Sequence, residues 1–212
     1  MAATVVLLRD GAGAIEVLLL QRPDRGSFAG GWVFPGGKVE PVDERAEDAD
    51  DEVPARRAAV RETLEETGLV VEPAALVALS HWTPPEELRT KFLTWFFAGE
   101  AVDGALRLQA SEAVASEWIR PADALKRHGA GTMRLFPPTW VTLHALLRYA
   151  TVADAIASIG AREPTRYATR TDPSGELVRW AGDEGYDGAP DSEDGPRHRL
   201  VMRQLPWRFE HR

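Results

Sequence analysis

The 212-residue chain has no cysteine, which excludes a disulfide framework and any thiolate metal site. A metal, if bound, must be held by oxygen or imidazole ligands, and the composition accords with a reducing cytoplasm. Also lacking is a basic segment followed by a signal-length apolar run, and no stretch approaches the roughly 20 apolar residues that cross a bilayer. A soluble, cytoplasmic protein without a membrane partner is expected. Cations are in deficit, with 25 Lys and Arg against 33 Asp and Glu and a formal net charge of -8. A general nucleic-acid binder needs a concentrated basic surface, so that class is excluded. Small anionic substrates stay open, provided that local cations or divalent metals offset the acidic field.

What is present supports one sizeable core. Hydrophobic residues make up 44% of the chain, and the length favours one domain spanning 1–212, without internal repeats. Ala3 to Leu8 and Ile15 to Gln21 read as a hairpin around Asp10-Gly11-Ala12-Gly13. A Gly-rich stretch, GSFAGGWVFPGGK from Gly26 to Lys38, then demands tight backbone bends. From Glu40 to Glu52 eight acidic residues face one basic residue, Arg45, which reads as a solvated insertion at about 40–53. A helix is expected from near Pro54, suited to a first turn, to Gly68, suited to the position past a helix end.

Further strands are expected at Leu76 to Trp82, Lys91 to Ala98 and Val114 to Ile119, with helices at Ala122 to Arg127 and Pro138 to Ile159, the latter interrupted near Thr151. Beyond about residue 160, Glu176 to Ala181 and His198 to Leu205 predict two more strands with a long loop between them.

The chemistry is concentrated on the first helix. Glu62, Glu65 and Glu66 are three and four residues apart, so one side of the helix carries all three carboxylates. Most Glu-rich helix faces are simply solvated. Unpaired like charges at this spacing nevertheless destabilise a helix by a few tenths of a kcal/mol per pair, roughly, and a hard divalent cation would offset that cost.

Context favours the metal. The string Arg61-Glu62-Thr63-Leu64-Glu65-Glu66-Thr67-Gly68-Leu69 resembles the RE-U-xEE-x-GU half of the Nudix signature, with Thr63 where an aliphatic residue is usual. Phe34-Pro35-Gly36-Gly37-Lys38 resembles the loop that precedes the catalytic helix in that family. The family pattern G-x5-E-x7-RE separates glycine from arginine by fourteen positions, whereas Gly37 and Arg61 are 24 apart, so ten residues are extra and fall in the acidic run. A surface loop can lengthen this way because closure entropy grows only logarithmically with length. The signature's first Glu is displaced: six positions after Gly37 stands Asp43, eight before Arg61 stands Val53, and Asp43, Glu44 and Glu52 remain candidates for its role.

The resemblance implies an α/β fold, the Nudix-type α/β/α sandwich, with a mixed β-sheet and added C-terminal helices and strands. It covers roughly Ala3 to Ile159, and the extension from about 160 could pack as extra strands or reach across a homodimer. It further implies that the Gly36 carbonyl, Glu62, Glu65 and Glu66 hold Mg2+, with Mn2+ as an alternative, and that Arg61 orients the helix. Glu65 or Glu112 would accept the proton of the attacking water; Glu112 lies six residues before Trp118, a place where many members carry a carboxylate, and Glu117 is its competitor. Arg22, Arg25 and Lys38 flank the Gly-rich loop as candidate substrate-phosphate contacts.

The implied activity is metal-dependent hydrolysis of a diphosphate linkage in a nucleoside diphosphate derivative. The lengthened loop, His81-Trp82-Thr83-Pro84-Pro85 and Pro137-Pro138-Thr139 resemble the branch related to coenzyme A diphosphatases, making coenzyme A or acyl-coenzyme A the leading substrate. That branch's R-x3-G-x3-FPGG spacing is met at Gly30, but its arginine position holds Gly26, with Arg25 one residue out of register. Pro84, fifteen residues after Leu69, resembles a feature of ADP-ribose diphosphatases and supports that alternative. Trp82 reads as core in preference to a base-stacking residue. A non-catalytic, ligand-sensing Nudix-like module is the alternative of another class, although such drift should erode the metal ligands that are all present here.

Overall fold

A computed structural model describes residues 1–26, 28–87, 92–102 and 104–212. In chain order the elements are β1 (Ala2–Asp10), β2 (Ile15–Gln21), β3 (Trp32–Val33), β4 (Gly36–Lys38), α1 (Glu52–Thr67), β5 (Val77–Thr83), β6 (Thr94–Glu100) and β7 (Ala115–Ile119). These are followed by α2 (Pro121–Gly129), α3 (Pro137–Leu146), α4 (Val152–Gly160), β8 (Thr165–Ala168), β9 (Arg170–Thr171), β10 (Leu177–Arg179), β11 (His198–Val201) and β12 (Arg208–His211).

The first sheet runs β3-β2-β1-β6-β5-β8, with β4 added on β1 and β7 on β2. It is mixed: β1 pairs parallel with β6 and β5 parallel with β8, while the other pairings are antiparallel. Strand alternation gives the sheet two apolar faces. Ala3, Val5 and Leu7 of β1 pack with Ala55, Ala58 and Ala59 of α1, whereas Val6 and Leu8 face a second cluster with Trp140 and Leu143 of α3 and Val152 and Ile159 of α4. Each such buried Val or Leu contributes about 1.5–3 kcal/mol, so the two faces together account for the layering. The expected α/β/α sandwich is observed, and among the described residues no helix is long and apolar enough to cross a membrane.

α1 is short-sided where it meets the sheet. Its buried alanines bring the helix close, and Thr63, the unusual residue of its signature, satisfies its hydroxyl on the Ala59 carbonyl at 2.7 Å. The helix ends where Gly68 adopts φ 73°, a left-handed conformation that favours glycine, and its N–H bonds the Leu64 carbonyl.

Three expectations need correction. The strand expected from Lys91 begins at Thr94, Lys91 itself lying outside the described residues. The acidic stretch is not merely solvated: Asp43, at the end of a short 3-10 turn, is buried, and Asp48 pairs with Arg57 of α1. The C-terminal segment builds more than two strands. β8 extends the first sheet, and β12-β11-β10-β9 form a second sheet whose Val178 and Leu200, with Trp180 just beyond β10, join the core around Trp82. Trp82 is a core residue, 4% exposed and stacked on Tyr167 at 4.0 Å.

Candidate active site

β4 lies against β1 at a distance that only glycine permits at Gly36, and its Gly37 faces the carboxylate of Glu62 on α1. A Cβ on Gly36 would lie 2.3 Å from the Ala3 carbonyl oxygen, and one on Gly37 would lie 2.3 Å from the Glu62 carboxyl carbon. The Gly36-Gly37 loop can therefore slot between β1 and the carboxylate face of α1. Within this cleft the Gly36 N–H donates to Glu66 Oε2 at 2.9 Å, which ties the loop backbone to the end of the carboxylate row.

Glu66 is 3% exposed, and burial pushes its carboxyl up to about 7, against the opposing pull of the Gly36 N–H and Arg22. Neighbouring Glu62 and Glu112 push in the same direction as burial. Glu62 is also raised, chiefly by burial, although Arg61 opposes the shift. Two carboxylates thus share a partly dry site with too little positive charge for both.

Two arginines supply what charge there is. Arg61 donates to Glu62 at 2.9 Å and to Glu65 at 3.2 Å, while Arg22 reaches Glu66 at 3.0 Å and Glu112 at 2.8 Å. Arg22 therefore joins Glu112, from the loop before β7, to the helix carboxylates. Glu117 does not join them, because β7 turns it toward Arg127, which it pairs with at 2.7 Å. Among the described residues no three carboxylate or imidazole groups converge closely enough to enclose a cation, the glutamates being engaged by Arg61 and Arg22 instead.

Of the candidates for the place of the signature's first Glu, Asp43 is the one that engages Arg61. It accepts both Arg61 Nη2 at 2.8 Å and Nε at 3.2 Å, and Arg61 also donates to the Lys38 carbonyl at 3.0 Å. Burial disfavours the Asp43 charge, but the Arg61 bonds, the Glu40 N–H and the charges of Arg61 and Arg57 together outweigh it and hold the carboxyl below its ordinary value. The same bonds raise Arg61 above the usual guanidinium range. Glu52 instead pairs with Arg56 on its own helix. The sequence signal for Asp43 was its spacing from Gly37; spacing from Arg61 pointed elsewhere because the extra residues lie between.

The remaining candidate cations are not drawn into the cluster. Lys38 is exposed, its ammonium 5.2 Å from the centre of the Phe92 ring. Arg25 is exposed, and among the described residues its side chain forms no ion pair with the glutamates.

The donor set suits a hard divalent ion. All the candidate ligands are oxygen atoms, and the buried, charge-deficient Glu62 and Glu66 beside a glycine backbone form an anionic cleft that such an ion would neutralise.

The NUDIX domain model matches residues 1–151. A CTP pyrophosphohydrolase from Escherichia coli (strain K12) is 35% identical over 121 residues, covering 57% of this chain and 76% of that protein. The crystal structure of a NUDIX hydrolase from Alicyclobacillus acidocaldarius superposes with a TM-score of 0.67 at 26% identity, covering 76% of this chain and 97% of the other. The NUDIX domain of Shewanella oneidensis NrtR, complexed with ADP ribose, shares the fold at a TM-score of 0.52 and 20% identity, covering 68% of this chain and 82% of that one. Nudix hydrolases generally use divalent metals such as Mg2+. With its carboxylate helix, its glycine loop and a family match across residues 1–151, the chain belongs to the Nudix family and is a hydrolase of diphosphate linkages in nucleotide derivatives.

Proposed function

We propose that Glu62, Glu66 and the Gly36 carbonyl hold Mg2+ or Mn2+, with Glu65 beside them, and that the substrate is a nucleoside phosphate, CTP being the first to test. The observation that carries the metal reading is the burial of Glu66 against the Gly36 N–H with its carboxyl raised to about 7. A bound divalent ion would screen the phosphate oxygens and make the attacking water more acidic. Water adds to one phosphorus, the bridging P–O bond breaks, and the two halves leave as separate phosphates. The water's proton passes to a carboxylate, with Glu65 and Glu112 in reach of the cleft by their contacts with Arg61 and Arg22. Arg61, clamped by Asp43, orients the helix end, and Arg22 is the cation placed to meet a substrate phosphate. Lys38 and Arg25 are exposed and would contact only substrate groups that extend beyond the cleft.

CTP is put first because the 35% identical relative is a CTP pyrophosphohydrolase. Coenzyme A, the substrate favoured by the sequence, keeps the lengthened loop in its support but loses the arginine of its motif, since Gly26 occupies that position and Arg25 stands apart. We further read 1–212 as one Nudix domain, because Val178, Trp180 and Leu200 share a core with Trp82 and Trp140. The C-terminal extension is thereby used within the chain, although a homodimer stays compatible with it.

The test is product release from CTP, coenzyme A, an acyl-coenzyme A, ADP-ribose and diadenosine polyphosphates, with and without magnesium. Turnover should need the metal, and Glu66→Gln should lower kcat by about 10³-fold, equivalent to about 4 kcal/mol of lost transition-state stabilisation. Unchanged turnover in that variant would sink the reading. Tight, metal-independent binding without turnover would instead favour a ligand sensor.

A further inference from the structure

Outside the carboxylate cleft, the acidic insertion makes an unexpected set of contacts with α1. Asp43 ends the 3-10 turn Pro41–Asp43, which is closed by the Glu40 N–H donating to Asp43 Oδ2 at 2.9 Å. Two arginines one helical turn apart grip this turn from the same side of α1. Arg61 takes the Asp43 carboxylate, and Arg57 Nε donates to the Asp43 carbonyl at 2.7 Å. The Nη2 of the same guanidinium is engaged by Asp48, with Nη2 to Oδ1 at 2.6 Å. Asp48 is itself fixed by the Arg45 N–H at 2.8 Å, and its side chain is only 12% exposed.

We propose that Arg57 and Asp48 are positioning residues for the metal-holding carboxylates, acting through Asp43 and Arg61. This rests on the metal reading given above. Arg61 can hold Glu62 and Glu65 in place only as well as Asp43 holds Arg61. Asp43 carries its carboxylate on a three-residue turn set between a glycine-rich strand and a long acidic stretch, so the turn needs an anchor of its own. Arg57 is that anchor, because a guanidinium that bonds a carbonyl through Nε and a carboxylate through Nη2 has little rotational freedom. Asp48 keeps the fork aimed. The insertion thus belongs to the working site, and its acidic residues are placed to meet arginines of α1.

The experiment uses the full chain and reads Mn2+ binding by the loss of the free-ion electron paramagnetic resonance signal, with kcat and KM on CTP, or on whichever nucleotide turns over, as a second readout. Asp43→Asn should weaken Mn2+ binding by about 10–100-fold, as removal of an outer-shell partner does, and Arg57→Ala and Asp48→Asn by about 3–10-fold, with kcat falling and KM nearly constant. In the double variant Arg57→Ala with Asp43→Asn, the loss should match that of Asp43→Asn alone to within about twofold, because the two residues act in series. Asp48→Glu should recover part of the loss seen in Asp48→Asn. If Arg57 and Asp48 only fasten the loop, thermal stability falls while Mn2+ affinity and kcat keep their wild-type values, and the proposal is overturned. Additive losses in the double variant overturn it as well. Should Arg57→Ala fail to fold, Asp48→Asn decides alone. A wild-type chain that binds Mn2+ in this variant order but cleaves no nucleotide sinks the hydrolytic substrate reading and leaves the positioning intact; one that binds no Mn2+ sinks both.

Discussion

Two clusters of arginine and carboxylate in this protein reach opposite electrostatic outcomes. Around α1, burial dominates: Glu62 and Glu66 are raised, the latter to about 7, although Arg61 and Arg22 touch them. Around the second sheet, arginine and backbone N–H groups together outweigh burial. Asp183 is buried too, yet Arg199 grips both of its oxygens, and the backbone N–H groups of His198 and Gly185 add further bonds. Its charge is held below the ordinary range despite the desolvation it suffers. The difference lies in the ratio of donors to carboxylates. Arg61 is divided among Asp43, Glu62 and Glu65, whereas Asp183 and Asp191 share two arginines, Arg199 and Arg179. The first cluster is left short of positive charge and so suits a cation; the second is complete in its charge pairing, although the buried Arg179 Nε finds no hydrogen-bond acceptor among the described residues, and it serves to hold the sheet.

Breaking the complete cluster should therefore cost the most stability. Asp183→Ala leaves the buried Arg199 guanidinium paired with the part-exposed Asp191, so the loss should approach the about 3–5 kcal/mol typical of removing one partner of a buried pair. Thermal or urea unfolding should register that loss, while the Mg2+ concentration for half-maximal turnover should stay at its wild-type value. A shift in that concentration would mean that the two clusters are coupled and that the contrast between them is false.

The charge-deficient cluster should respond in the opposite sense. Glu66 has a folded-state value above its unfolded one, so the folded protein binds more protons between pH 4.5 and about 7, and metal-free stability falls as pH rises through that window. Glu66→Gln removes the buried charge, and at pH 8 without divalent ions it should stabilise the protein by about 1–3 kcal/mol, a gain that vanishes toward pH 4.5. Magnesium should then raise the melting temperature of the wild type and not of the variant. A metal-free Glu66→Gln chain that is less stable at pH 8 would show that Arg22 and the Gly36 N–H already satisfy the carboxylate.

The first cluster was largely legible in the sequence and the second was not. Glu62, Glu65 and Glu66 share a helix, so their proximity follows from helical periodicity alone. Asp43 was harder to identify, since a long insertion makes counting from the two ends of the motif disagree, and only the closed turn at Pro41–Asp43 decides for the glycine end. Arg22 reaches Glu66 across 44 positions and Arg199 reaches Asp183 across sixteen, distances over which no local period operates. Strands β8, β9 and β12 are four, two and four residues long and mostly exposed at β8, so their existence depends on pairing and on partners such as Trp82 under Tyr167.

The smallest effect expected lies at the rim of the complete cluster. Arg199 holds Asp191 down to about 2, with Arg179 assisting, but the Asp191 side chain is 37% exposed and water screens the pairing. A carboxylate depressed in the folded state adds stability above its unfolded value near 3.8 and loses it as pH falls toward 2. After allowance for screening, the contribution should be under about 1 kcal/mol. Asp191→Asn should accordingly lower stability by that amount at pH 7 and by almost nothing at pH 2, read as converging urea midpoints. Midpoints that stay apart in acid would assign the Asp191 contribution to packing instead of charge, and the donor ratio would no longer explain why this cluster holds.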